Sequence, residues 1–203
     1  MEDNEIGLSR LRVLAICAHP DDYEYSASTA LRKLALNGNI VRGLVLTHGE
    51  KGGNGARRVF EAKESASRLG FRQVEVLGFP DTRLPECISE ISLVIRKVIK
   101  EFDPHLIFTH SIHDIHQDHV AVYKATTQVF SHSLIFCFES PSSANFKADC
   151  GVYIGEALEN KLACMAVHKD QEMKSYMQPD HFKKWSEERG NMERFELCAG
   201  EIQ

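Results

Sequence analysis

Five short apolar runs punctuate the first two thirds of the chain: Val13 to Cys17, Ile40 to Leu46, Val74 to Leu77, Leu106 to Thr109 and Leu134 to Phe138. Runs of this length, apolar with little alternation, suit strands covered on both faces. The stretches between them are helix-like: Ser28 to Asn37, Arg57 to Leu69, Ser89 to Phe102 and His119 to Phe130. In the third of these, Ile91, Val94, Ile95, Val98 and Ile99 recur at helical spacing. Strand and helix in alternation, joined by right-handed crossovers, predict an α/β fold: a Rossmann-like three-layer sandwich with a mostly parallel sheet. That architecture puts its working loops beyond the carboxyl ends of the strands.

After Ser140 the pattern loosens through Pro141, Ser142, Ser143 and Asn145 and returns in Val152 to Ile154 and a helical stretch from Glu156 to Val167. The charged segment 171–203 reads as a helix and a last short strand near Phe195 to Cys198. A length of 203 residues fits one domain, 1–203. The net charge of -5 is spread along the chain without a Lys/Arg block, which speaks against a nucleic-acid partner and for a small neutral or polar substrate. No stretch approaches the roughly 20 apolar residues of a membrane span, and Met1 to Arg10 lack the apolar core of a leader, so a cytoplasmic location is expected. Cys17, Cys87, Cys137, Cys150, Cys164 and Cys198 occur singly and are expected to be free, mostly buried thiols.

Chemistry gathers at two of the strand ends. The first strand runs into Ala18-His19-Pro20-Asp21-Asp22, one imidazole and two carboxylates in a loop that Pro20 stiffens. Neighbouring residues of such a loop point in different directions, so His19 and Asp22 can converge on a metal while Asp21 faces a bound water. An Asp-Asp pair after a strand also suits a turn or a helix cap. The fourth strand leads to Asp114-Ile115-His116-Gln117-Asp118-His119, where two histidines three residues apart share a face if the helix has begun. Together the clusters offer two His and one Asp, a ligand set that leaves a zinc ion an open position for catalysis.

These two motifs resemble those of the PIG-L/LmbE-like zinc N-deacetylases. The resemblance runs on through Leu46-Thr47-His48-Gly49-Glu50 and Gly52, Arg58-x-x-Glu61, Gly78-Phe79-Pro80-Asp81, Asn145-Phe146, Lys161 and His168, and so spans about residues 12 to 197. It departs at Ser26-Ala27-Ser28-Thr29, where the family carries a glycine-rich run, and at Gln117, where proline is common.

The resemblance implies a Rossmann-like sandwich and a hydrolase that removes the N-acetyl group from an N-acetylglucosaminyl conjugate. It implies one zinc per chain on His19, Asp22 and His119, metal-bound water as nucleophile, and Asp21 as general base. His116 is expected to donate to the tetrahedral oxyanion with Asp118 holding its tautomer, and Glu50, Arg58 and Asp81 are expected on the sugar and its attached group. His48, His110 and His113 are expected to be polar neighbours of the site and not ligands. Two other readings exist: a metal-dependent hydrolase of a different amide or ester, and a nucleotide-binding module. The second lacks the glycine-rich turn that brings backbone N–H groups to a phosphate. Assembly into a homo-oligomer is left open.

Overall fold

The computed structural model describes residues 10–129 and 131–198. In chain order the elements are β1 (Arg12–Cys17), α1 (Asp22–Ser26), α2 (Ser28–Leu36), β2 (Ile40–Thr47), α3 (Gly55–Leu69), β3 (Gln73–Phe79), α4 (Ile88–Phe102), β4 (Leu106–Thr109) and α5 (Gln117–Thr127). They continue with β5 (Leu134–Phe138), β6 (Cys150–Tyr153), α6 (Leu158–Met165), α7 (Pro179–Glu187) and β7 (Met192–Cys198). The expected strands and helices are present. Phe130, the last residue of one expected helix, and the segments 1–9 and 199–203 lie outside the described residues.

β1 is buried almost throughout, and its alternate side chains enter two different cores. Leu14 and Ile16 join Ile91, Ile95 and Ile99 of α4 and Ala121, Val122 and Ala125 of α5. Val13, Ala15 and Cys17 join Tyr23, Ala30, Leu31, Leu69 and Cys164 from α1, α2, α3 and α6. The period of two along a strand thus builds helix layers on both faces of the sheet.

The strand order is β3-β2-β1-β4-β5-β7-β6. β1 pairs in parallel with both β2 and β4, so the chain reverses its direction of travel across the sheet beside β1. This is the switch point at which such sheets open a crevice. β7 runs antiparallel between β5 and β6, a placement that chain order did not reveal.

Local signals explain the helix ends near the crevice. Asn54 caps α3, its side chain accepting from the Arg57 backbone at 3.0 Å, and Gly70 closes the helix at φ 82°. The N-cap position of α2 is Ala27, which has no capping group. Glu193 of β7 supplies one, accepting from the Thr29 and Ala30 backbone N–H groups at 2.7 and 2.8 Å. A third apolar cluster, Tyr25, Ile154, Met165, Met177 and Phe182, fastens the segment before α7 beside α1. The six cysteines are free; Cys17, Cys137 and Cys164 are buried, Cys87 and Cys198 half-buried, and Cys150 on the outer strand β6 is exposed. Among the described residues no helix is long and apolar enough to cross a membrane.

Candidate active site

The loop after β1 begins with His19, and the chain then turns through Asp21 at φ 107°, a left-handed conformation rare for a residue with a Cβ. This turn starts α1 at Asp22, yet Asp21 makes no side-chain cap hydrogen bond. Capping therefore does not explain the carboxylate at position 21. What the turn does is aim two adjacent carboxylates apart.

Asp22 faces three imidazoles. Its oxygens lie 3.1 Å from His110 Nε2, 3.4 Å from His119 Nε2 and 3.6 Å from His19 Nδ1, and it also accepts from the His19 backbone at 2.7 Å. Burial opposes ionisation of Asp22, but His119 and His110 outweigh it and hold the carboxyl well below the usual range. Asp21 lies instead beside Arg58, 3.2 Å away. Burial pushes its carboxyl up, with Arg58 working the other way.

The rear nitrogens of the two outer histidines are each held by a carboxylate. His119 Nδ1 lies 2.9 Å from Asp114, which also accepts from Ser140, Ser142 and the His116 backbone. His19 Nε2 lies 3.2 Å from both Asp118 and Asp81. A carboxylate on one ring nitrogen fixes the tautomer and leaves the other nitrogen for a cation. In both rings that other nitrogen is the one facing Asp22.

Burial works against a charged His119, but Asp22 and Asp114 prevail and push it up to about 9. His19 is likewise raised well above its ordinary value, against burial, by Asp118 and Asp22. Imidazoles that attract positive charge so strongly are suited to a bound cation. Three groups of donor atoms lie within 4.8 Å of one another and could hold a metal ion: His19, His116 and His119; Asp22, His110 and His119; and His19, Asp81 and Asp118. The expected trio His19, Asp22 and His119 is spread over these groups and is not one of them as it stands.

His116 sits at the N-cap of α5 and stacks on His119 with ring centroids 4.4 Å apart. Its Nδ1 accepts from the Asp118 backbone N–H, which places the proton of the neutral ring on Nε2. Here the structure corrects an expectation. The Asp118 side chain does not hold His116; it accepts from the backbone of Thr82 and Leu84 and binds His19. The His116 ring is tied by the first turn of its own helix, and burial followed by repulsion from His119 and His19 lowers its pKa.

The PIG-L family, GlcNAc-PI de-N-acetylase, matches residues 14–130, more than half of the chain. The chain belongs to the PIG-L family. It is 35% identical over 143 residues to the uncharacterized deacetylase YaiS of Escherichia coli, a match covering 66% of this chain and 76% of that one. Diacetylchitobiose deacetylase of Thermococcus kodakarensis is 30% identical over 191 residues, covering 79% of this chain and 70% of that one. Among solved structures, N,N'-diacetylchitobiose deacetylase from Pyrococcus horikoshii superposes with a TM-score of 0.77 at 23% identity, over 93% of this chain and 84% of that one. The structural match carries the fold, and family membership carries the activity class: an N-deacetylase.

In this PIG-L chain two lobes of a cleft meet over the β1 loop, sharing Asp21, Asp22, His116 and Tyr176. One, of about 320 Å³, is walled by Tyr25, Ile115, Pro141 and Met177. The other, of about 340 Å³, is polar, with Lys51, Arg58, Asp81 and Lys174. A larger groove of about 490 Å³ between Arg57, Phe60 and Lys169 lies away from these residues and contains none of the donor atoms.

The three residues expected on the sugar are all used by the protein. Arg58 donates to the carbonyls of Gly49 and Pro20 at 2.6 Å each and pairs with Asp21. Asp81 accepts from the Lys51 backbone, and Glu50 accepts from the Asp81 backbone. Burial opposes ionisation of Asp81, but His19 and the Lys51 backbone hold the carboxyl down at about 2.

Sequence reasoning underrated His110 and Asp114. His110 is fully buried, stacked on His119 at 3.9 Å and in contact with Asp22; burial, then repulsion from His119, lowers it to about 4. The signal was present: His110 directly follows the strand end at Thr109, where a side chain is bound to meet the crevice. His113, by contrast, lies out beside Glu196, and His48 is exposed.

Proposed function

We propose that the chain is a zinc-dependent hydrolase that removes the N-acetyl group from an N-acetylglucosaminyl conjugate in this cleft. One observation carries the reading: the adjacent carboxylates have separate company. Asp22 faces His19, His110 and His119, while Asp21 has Arg58 as its partner and borders both lobes. Ligand and base need that separation.

His19, Asp22 and His119 would hold one zinc per chain, with Asp118 and Asp114 orienting the two rings. Zinc held there would polarise the acetamide carbonyl and lower the pKa of water toward about 7. Asp21, raised by burial, takes a proton from the attacking water and returns it to the departing amine. Arg58 keeps the Asp21 carboxylate aimed into the cleft. His116, with Nε2–H available, donates to the oxyanion of the tetrahedral intermediate. Arg58 and Asp81 shape the wall against which the sugar hydroxyls and the attached group rest, and Glu50, which lines neither lobe, braces the Asp81 backbone from behind.

The PIG-L description and the diacetylchitobiose deacetylase relative support the substrate class. One sheet formed by strands from Arg12 to Cys198 supports treating the chain as one domain. The test is amine release from a panel of N-acetylglucosaminyl conjugates, with zinc-reconstituted protein and with chelator-treated protein. Release that requires the metal is expected. Release from acetyl esters or unrelated acetamides alone would overturn the sugar assignment.

A further inference from the structure

Two of the six free thiols meet where the parallel part of the sheet gives way to the antiparallel part. β5 and β7 run antiparallel, with Ile135 opposite Cys198 and Cys137 opposite Glu196. Opposed residues share a face, as do residues two apart on one strand, so Cys137 and Cys198 are diagonal neighbours on a single face. That face carries the core built with α4 and α5: Cys137 is buried in it and Cys198 lies half-buried against it. The two sulfurs share a hydrogen bond. Neither residue lines a lobe of the cleft.

A third group joins them from α5. The Tyr123 hydroxyl lies 3.6 Å from Cys198 Sγ. Burial and Cys198 itself push the phenol up, so it keeps its proton and donates to the sulfur. The Cys137 thiol holds Cys198 below the ordinary thiol value, and Tyr123 adds to this against burial and the Glu196 carboxylate. The same hydrogen bond, followed by burial, pushes Cys137 well up. Cys17, Cys87, Cys150 and Cys164 are raised too, each chiefly by burial. One sulfur of the pair is therefore a thiolate nucleophile half open to solvent, with a protonated thiol held against it.

We propose that Cys137 and Cys198 form a peroxide-reactive dithiol, a reversible modification site that closes to a disulfide between β5 and β7. The Cys198 thiolate attacks one oxygen of hydrogen peroxide: an S–O bond forms, the O–O bond breaks, and the departing hydroxide takes up the proton that the thiol gave to solvent. Cys137 then attacks the sulfur of the resulting sulfenic acid. An S–S bond forms, the S–O bond breaks, and the departing hydroxide takes the Cys137 proton. Two thiols and one peroxide thus give a disulfide and two waters; each sulfur gives up one electron and the peroxide takes both. Cys198 is the last residue of β7, so its end of the link can turn toward Cys137 as disulfide geometry requires.

Exposure alone would make Cys150, on the outer strand β6, the first thiol to be oxidised. The experiment sets the two against each other. Zinc-reconstituted wild-type protein is treated with hydrogen peroxide, quenched with catalase, alkylated, and digested without reductant for mass spectrometry. The intact monomer is expected to lose the mass of two hydrogens, located in a linked peptide that contains Cys137 and Cys198, and to regain it with dithiothreitol. Cys198 should be consumed ahead of Cys150. In Cys137→Ala the reaction should stop at the Cys198 sulfenic acid, which dimedone captures. In Cys198→Ser, Cys137 should stay reduced.

Oxidation that begins at Cys150 and leaves the pair reduced would overturn the proposal. So would wild-type protein in which Cys198 accumulates as sulfenic or sulfinic acid while Cys137 remains a thiol, since the two would then not act as a pair. A link that forms only in guanidinium would overturn it as well, because the folded strands would not be what brings the sulfurs together. The linked peptide is read on the wild-type chain, so the result does not depend on how well either variant folds. It is also independent of amine release, and so of the deacetylase reading.

Discussion

Two clusters of buried charge in this molecule are built on opposite terms. Lys161 and Glu193 form an ion pair of 2.6 Å with almost no exposure, and the ammonium also donates to the Glu24 carbonyl and Ser28 Oγ. Glu193 accepts two backbone N–H groups at the start of α2 as well. Every proton of the ammonium is spent. The cluster at the ends of β1 and β4 is different: Asp22 faces three imidazoles, while His110 Nδ1 and Arg58 Nε are buried without a hydrogen-bond partner among the described residues. A saturated network fixes structure, whereas an unsaturated one stores capacity for a ligand. The first cluster ties β7, α2 and α6 together; the second is the proposed active site.

The largest effect should come from His119→Ala. It removes a proposed ligand from the unsaturated cluster, and zinc content and amine release should both fall to background. Retention of stoichiometric zinc in that variant, read by elemental analysis, would move the ion to another of the donor groups. In the saturated cluster the corresponding blow is to stability. Lys161→Met leaves Glu193 buried without its partner, and breaking such a pair costs about 3–5 kcal/mol. Denaturant unfolding should show that loss with little change in turnover per folded molecule. A cost no larger than that of Asp22→Asn would erase the distinction between the two clusters.

Asp114→Asn should act more gently, weakening zinc by about 10–100-fold, as changes behind a ligating histidine do. Competition with a chelator measures it, and unchanged affinity would mean that Asp114 only braces the loop through Ser140 and Ser142. The smallest effect concerns His168, buried 3.1 Å from Glu24 at the edge of the site. Burial disfavours its charge, but Glu24 prevails and raises its pKa. A histidine raised on folding adds stability that is complete below its unfolded value of about 6.5 and fades as pH climbs through the folded value. The stability difference between wild type and His168→Gln should therefore shrink as pH rises above that window. A difference that grows with pH would reverse the assignment.

Much of this could be read in the sequence, for identifiable reasons. Continuous apolar runs gave the inner strands because a strand buried on both faces has no polar alternation, as in β1. The His19-Pro20-Asp21-Asp22 loop was legible because a parallel sheet dictates where a strand end points. The partner of Asp118 was not, since it depends on the loop at Thr82 and Leu84 folding over from β3, a contact across 36 and 34 residues. Helix α1 was hidden by its length of five residues, too few to show a period. Nor could spacing place β7 between β5 and β6, or show that Glu193 caps a helix 164 residues away.

Asp22 and Asp21 are proposed to have separate tasks, and zinc content measured together with turnover in Asp21→Asn tests that directly. The variant should keep as much zinc as the wild type, one per chain being expected in both, and lose about 10²–10⁴-fold in amine release, the usual share of a general base. Loss of the metal along with the activity would make Asp21 a ligand, and full activity with the metal in place would leave the reaction without its base.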